Sequence, residues 1–253
     1  MINIYKNENY RPDLISEIMS SDPHLSEVII SSESGSIMDL INKQQYDVIE
    51  IDDIMLKQLK PHLAFLGWGL SASSSFDCLI KQGQEYAPMQ INAESFRRYL
   101  ESTHRIVDIQ NCAVLIGDYI FVASFAVMLA KLGYTKIYIV SQDNILFGEE
   151  IEHLKKILFG VQLTQLSFDE LATIRDGASM LVLDFNLKEN PELVEILTYF
   201  NFLTEGAIFF DLNSYIDDSL AQEAEKVQLD VVDISEHVKI KYNIIKKKLN
   251  IRS

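Results

Sequence analysis

The sequence predicts an α/β protein: an N-terminal α/β domain over residues 1–100, followed by a doubly wound parallel sheet over residues 101–253. Three observations carry this. The second half holds β-rich runs at regular intervals: NCAVLIG, KIYIV, VQLTQL, SMLVLDF, GAIFFDL and LDVVDI. Helical patterns stand between most of them, at about 121–132, 148–159, 168–176, 190–202 and 216–227. The runs are also apolar throughout rather than alternating, as strands covered on both faces are. Strand and helix in regular succession argue for a parallel sheet with helices on both sides.

The first half is less regular. EVIIS (27–31) and YDVIEI (46–51) read as strands flanking a helical SGSIMDLINKQQ. IMLKQLKPHLAFLG reads as a helix interrupted at Pro61, whose ring and missing N–H oppose continuation. FDCLIKQ and EYAPMQI predict a hairpin around Gln82-Gly83-Gln84. NAESFRRYLEST places an Asn before a Glu and an apolar run, a helix start. SASSS (71–75) reads as a polar strand or turn. The domain boundary falls near 90–110, and the last helix, about 235–250, is a candidate to pack back onto the first half.

Composition narrows the function classes. With 253 residues, 48% hydrophobic and 23% charged, the chain is an ordinary globular one that needs neither metal nor disulfide to build a core. A formal net charge of −15 argues against nucleic acid, which is bound through clustered Lys and Arg. The tail is the exception. From Val238 to Ser253 there is no acid, while Lys239, Lys241, Lys246, Lys247, Lys248 and Arg252 are present. These lysines either complement the negative end of a helix dipole or dock an acidic partner. Cys78 and Cys112 lack CxxC spacing, which points to a reducing, cytoplasmic setting. No signal-peptide pattern opens the chain. The longest apolar run, Tyr119–Ala130 interrupted by Ser124, is too short for a bilayer, so no membrane partner is expected. His24, His62, His104, His153 and His237 are scattered, so no metal site is expected. Glu50, Asp52 and Asp53 gather at a strand end, as caps for the next helix or as a cation or basic-partner site.

Ala113–Asp143 has the outline of a dinucleotide-binding strand, turn, helix and second strand. Its turn carries one glycine of the usual three. Gly117 takes the first place, but the second falls on Tyr119 and the third on Val122. The second glycine lets a pyrophosphate approach the backbone, so a tyrosine there fills the room it needs. Asp118 adds a carboxylate where a helix N-terminus would otherwise attract an anion. Each charge pair would cost on the order of a few kcal/mol at an effective dielectric near 20. The helix dipole offers roughly 0.3–1 kcal/mol, so repulsion wins. At the end of the next strand the chain reads Val140-Ser141-Gln142-Asp143. Asp143 could accept from a ribose hydroxyl, which would favour NAD over NADP, or could cap the next helix.

MQINAESFRRYLESTHRIVDIQNCAVLIGDYIFVASFAVMLAKLGYTKIYIVSQD resembles the domain junction and nucleotide turn of shikimate and quinate/shikimate dehydrogenases. LSFDELATIRDGASMLVLDF and AIFFDLNSYIDDSLAQEAEKVQLDVVDISEHVKIKYNIIKK are similar to the rest of their cofactor domain. The resemblance spans about residues 60–250 and lies in element order and apolar pattern. It implies an N-terminal α/β domain of the substrate-holding type and a C-terminal Rossmann-like domain for NADP or NAD. It also implies a lysine and an aspartate that transfer a proton at a cleft.

The signature residues of the family are replaced. Its Asn-Thr-Asp-x-x-Gly-Phe becomes Gln90-Ile91-Asn92-Ala93-Glu94-Ser95-Phe96, so Asn92 stands for the acid and Gln90 opens the motif. Asparagine hydrogen-bonds but does not exchange a proton at neutral pH. Where a lysine should follow a strand, Val48 to Asp53 contains none. Gly-Ala-x-Asn-Thr becomes Gly67-Trp68-Gly69-Leu70-Ser71, placing Leu70 for the substrate-binding asparagine and Ser71 beside it. The early Ser-x-Ser has no counterpart near the start. The loop expected beside the nicotinamide reads Leu183-Asp184-Phe185-Asn186, and Lys241 takes the place of a substrate-contacting glutamine. Lys241 is expected either to meet an anionic ligand or Asp118, or to be a solvated lysine among others.

These replacements predict a shikimate-dehydrogenase-like protein with degenerate sites. It would have no cofactor, or NAD if active, and would bind a small-molecule ligand or a protein partner as a monomer or homodimer. The alternative is an active NAD(P)-dependent oxidoreductase acting on a shikimate-like hydroxy acid.

Overall fold

The computed structural model describes residues 2–6, 28–31, 36–64, 66–67, 76–140, 148–184, 191–212 and 218–249. By contact the chain divides into two units: Met1–Thr103 with Ser235–Ser253, and His104–Ile234. The first holds a mixed sheet and the second a parallel one, each with helices, the α/β class expected.

The first unit has a five-stranded sheet in the order β2-β1-β3-β4-β5. Its strands are β1 (Ile2–Tyr5), β2 (Val28–Ser31), β3 (Val48–Glu50), β4 (Cys78–Gln82) and β5 (Glu85–Met89). β1 pairs parallel with β2 and β3, while β3–β4 and β4–β5 are antiparallel. β1 was not foreseen. Its place is fixed from both sides of β3's entry: Asp47 N–H donates to Asn3 O at 2.8 Å, and Asn3 N–H donates to the Asp47 carboxylate at 2.8 Å. The foreseen hairpin forms, with Gln82 opposite Glu85 and Gly83 at φ 67° in the turn.

Helix α1 (Ile37–Lys43) is capped by Ser36, and α2 (Asp53–Leu59) by Asp52, which accepts from Met55 N–H at 2.7 Å. The capping role expected of the acidic group thus belongs to Asp52. Pro61 ends α2 as expected, and a 3₁₀ turn, Lys60–His62, follows. Helices α3 (Ile91–Ser102) and α8 (Ile234–Lys248) complete this unit. Three i,i+4 or cross-helix charge contacts line them: Arg98–Glu94 at 2.5 Å, Arg97–Glu101, and Lys248–Glu94 at 3.8 Å.

The second unit is a six-stranded, all-parallel sheet in the order β11-β10-β9-β6-β7-β8. The strands are β6 (Cys112–Gly117), β7 (Lys136–Val140), β8 (Gln162–Leu166), β9 (Ala178–Asp184), β10 (Leu203–Asp211) and β11 (Asp230–Val231). β6 and β9, buried on both faces, are the continuous apolar runs read from the sequence. The connecting helices are α4 (Tyr119–Leu132), α5 (Gly148–Ile157), α6 (Pro191–Thr198) and α7 (Asp218–Lys226).

One sheet face packs Val114, Ile116, Leu181, Leu183, Leu193, Leu197 and Phe209 into a core, with Phe200 edge-on to Phe209 at 5.4 Å. Phe125 of α4 lies 6.4 Å from Phe210. Two elements are shorter than the sequence suggested. The 168–176 segment is a 3₁₀ turn, Asp169–Thr173, because Glu170 turns back to accept from Ser167 N–H and hydroxyl. β11 keeps two residues, since α8 begins at Ile234.

Candidate functional site

In the second unit the turn after β6 sits at the carboxyl ends of parallel strands, the usual ligand edge of such a sheet. Gly117 ends β6 and Asp118 occupies the N-cap position of α4, extended at φ −72° and ψ 166°. Its side chain is exposed and makes no cap hydrogen bond. Tyr119, Ile120 and Phe121, the first turn of α4, are all buried. The aromatic nearest Gly117 is Phe121 rather than Tyr119. A Cβ placed on Gly117 would lie 2.6 Å from the Phe121 ring and 3.1 Å from Asp184 O. The hollow over the glycine is therefore filled from within. Asp184 ends β9 in register with Gly117, and Asp211 ends β10, the next strand. Three carboxylates thus mark the ends of three neighbouring strands. Ser141 and Asp143 lie outside the described residues, as do Leu70 and Ser71.

The first unit gathers charge at the ends of β1 and β3, the start of β4, and the adjoining helices. Lys6 follows β1, Glu50 ends β3, Asp77 precedes β4, and α8 carries His237 and Lys241 one turn apart. That i,i+4 spacing puts both on one helix face. Lys241 Nζ lies 2.9 Å from Glu50 Oε1, and Lys6 Nζ 3.1 Å from Glu50 Oε2. Lys241 is buried, so the solvated reading is corrected: with Ile245 and Tyr242 inside, the face that carries it is the packed one. Its ammonium is matched by Glu50.

Burial alone would raise the Glu50 carboxyl. The ammonium groups of Lys241 and Lys6 more than offset it and bring it down to about 2. Burial alone would lower Lys241, and Glu50 reverses that, leaving it raised.

Asp77 is the cap of α3 from a distance. Its Oδ1 accepts from Ile91 N–H at 2.7 Å and its Oδ2 from Asn92 N–H at 2.9 Å. Gln90, at the N-cap position, supplies no side-chain cap bond. Asn92 therefore stands at the first turn, its backbone held by Asp77 and its buried Oδ1 without a hydrogen-bond partner among the described residues.

One turn on, Ser95 Oγ lies 2.8 Å from His237 Nε2 and donates to Asn92 O at 2.8 Å. Ser95 has one proton, so this pattern assigns the Nε2 proton to His237. Burial holds that imidazole down to about 3, hence neutral. The pair has the spacing of a nucleophile and its base. Both residues are sealed from solvent, which makes it a structural contact between α3 and α8.

Asp77, Ser95, His237 and Lys6 were not singled out by sequence. Two signals were there: a helix start at Gln90 with a poor cap residue, and a His–Lys pair at helical spacing. Among the described residues, no group of His, Cys, Asp and Glu is placed to hold a metal ion, and no helix is long and apolar enough to cross a membrane.

The chain thus combines a parallel α/β unit with a mixed sheet to which the last helix returns. Comparison with solved structures gives the fold a name: it is shared with the shikimate and quinate dehydrogenases. Shikimate dehydrogenase from Thermotoga maritima matches at a TM-score of 0.67 and 13% identity, over 100% of this chain and 94% of that one. The Mycobacterium tuberculosis enzyme matches at 0.66 and 12%, over 100% and 94%. Quinate dehydrogenase from Corynebacterium glutamicum, solved in complex with NAD, matches at 0.65 and 9%, over 97% and 92%. No protein-family model and no curated protein matches the sequence.

Proposed function

We propose that this chain is a shikimate-dehydrogenase-like protein with degenerate cofactor and catalytic sites, a non-catalytic or repurposed form that binds a small ligand or a protein partner. The observation that carries this is the turn at Gly117, where the Phe121 ring covers the glycine and Asp118 faces solvent. A pyrophosphate in the usual pose meets bulk and like charge at that point. The first unit supports the same reading. Asn92 stands where the resemblance expects an acid, and Lys241 is committed to Glu50.

The chain works without a cofactor, away from membranes and nucleic acid, in a reducing compartment such as the cytoplasm, where Cys78 and Cys112 stay thiols. It acts as a monomer or homodimer. Calorimetric or fluorescence titration with NAD, NADP and their reduced forms tests the proposal. No saturable binding is expected up to millimolar cofactor, and micromolar saturation overturns it.

A second reading, an active NAD(P)-dependent oxidoreductase on a shikimate-like hydroxy acid, draws on the solved neighbours. One from Listeria monocytogenes holds shikimate and NAD, and one from Thermus thermophilus holds shikimate and NADP(H). Absorbance at the nicotinamide band across a hydroxy-acid panel separates the readings: turnover establishes the second.

A further inference from the structure

The edge of a sheet presents a row of N–H and C=O groups with which another chain can pair, and native proteins blunt it with charge, proline, shortness or a bulge. Four described strands stand at edges: β2 and β5 in the first unit, β8 and β11 in the second. β5 carries Glu85 and Pro88. β11 keeps two residues, and Arg105 holds them by pairing with Asp230 at 2.7 Å and donating to Val231 O at 3.2 Å. β2 has four residues. β8 has five, Gln162-Leu163-Thr164-Gln165-Leu166, with neither charge nor proline. Its register with β7 runs unbroken from Lys136–Gln162 to Val140–Leu166, so no bulge turns it aside. In a chain of net charge −15, a neutral edge is where a second copy can approach with least repulsion.

The two ends of β8 are complementary. At the amino end, Lys155 and Lys156 close α5, the first paired with Glu152 at 2.6 Å. Beside them Ile157 is 48% exposed and Phe159 98%. At the carboxyl end Asp169 and Glu170 are exposed, Glu170 being held by Ser167. A two-fold axis through Thr164 runs two β8 strands antiparallel, with Leu163 opposite Gln165 of the second copy and Gln162 opposite Leu166. The amino end of each then meets the carboxyl end of the other, which sets Lys156 against Asp169 and covers Phe159. Parallel pairing would set lysine against lysine. Gln162 N–H donates to Thr135 O, on the β7 side, at 2.8 Å, so the alternation of the strand turns the Leu163 N–H outward.

We infer that β8 is a homodimer edge: a second copy adds its own β8 antiparallel and joins the two six-stranded sheets into one. Each copy uses its β8 once, so the pair closes and does not grow into a fibre. This selects the homodimer from the two oligomeric states proposed above and makes no use of the turn at Gly117.

Sedimentation equilibrium of the full chain without cofactor tests this, so its result and that of the cofactor titration stand apart. The wild type should read twice the chain mass of 28.9 kDa. Thr164→Lys sets two ammonium groups across the axis, and Phe159→Glu sets a carboxylate against Asp169. Each should raise the dissociation constant by about tenfold or more. Phe159 is so exposed that its variant keeps the fold even where Thr164→Lys does not. In hydrogen exchange the Leu163 amide should slow as chain concentration rises, while Leu115 in β6 stays constant. A wild type that reads 28.9 kDa at about 100 μM chain overturns the inference. So does a dimer whose dissociation constant Phe159→Glu leaves unmoved, or a Leu163 amide indifferent to concentration, since either assigns the interface to another surface.

Discussion

Replacing Lys241 by Met removes an ammonium while keeping an unbranched stem in a buried site. What remains is Glu50, with a side chain 12% exposed and Lys6 as its surviving cationic partner. The folded carboxyl sits at about 2 against 4.5 in the open chain. That gap is worth about 3 kcal/mol at neutral pH. Lys241 contributes more of it than Lys6. Breaking a buried ion pair by deleting one partner typically costs about 3–5 kcal/mol, and the surviving Lys6 argues for the lower end.

The variant should therefore lose about 3 kcal/mol at pH 7, a fall of about 6–12 °C in melting temperature. Acid changes the comparison in a defined direction. The wild-type contribution of Glu50 is complete above 4.5 and is lost as pH falls through about 2. In the variant the carboxyl titrates higher and is neutralised sooner, so the difference between the two proteins narrows on acidification. Guanidinium unfolding of both at pH 7 and pH 3 measures this. The double variant Glu50→Gln/Lys241→Met should recover part of the loss, because it leaves no charge stranded. A loss below about 0.5 kcal/mol at pH 7, or an equal loss at both pH values, would refute the reasoning.

Two further outcomes follow from the same contacts. Gly117→Ala drives a methyl into the Phe121 ring and the Asp184 carbonyl, so it should cost about 1–3 kcal/mol in denaturant unfolding, with partial rescue by Phe121→Leu. Asp77→Asn should make the fold more acid-sensitive. Burial depresses His237, so its contribution is present above 6.5 and drains away as pH falls toward 3. Asp77 works oppositely between 3.8 and 6, and in the wild type the two offset. Without Asp77 the stability measured by chemical denaturation should decline by about 1.4 kcal/mol per pH unit from pH 6 to 4.

The apolar runs of the second unit could be read in order because burial on both faces leaves a continuous hydrophobic imprint. The hairpin and the stop at Pro61 could be read because Gly and Pro act locally. β1 could not: INIY is four residues with one Asn, and it becomes a strand only because β2 and β3 lie on either side. The turn could be located from the sequence at Gly117, with Tyr119 and Asn92 in places where the resembled family has other residues, yet the ring over Gly117 is Phe121, whose direction depends on how α4 docks. Lys241 looked like one lysine among many. Its burial depends on Glu50, far away in sequence, and a charge run gives no sign of which member will find such a partner. Asp77 was hidden for the same reason, since it caps a helix that starts 14 residues later.

The path of the chain has a consequence for biogenesis. The first unit is interrupted after Thr103 and resumes only at Ser235. On the ribosome, residues 104–234 are synthesised before His237 and Lys241, so Glu50 and Ser95 wait for their counterparts until the final helix is made. The early-made half is thus the late-finished one, and a chain lacking the final helix would expose an unfinished amino-terminal half to chaperones and proteases.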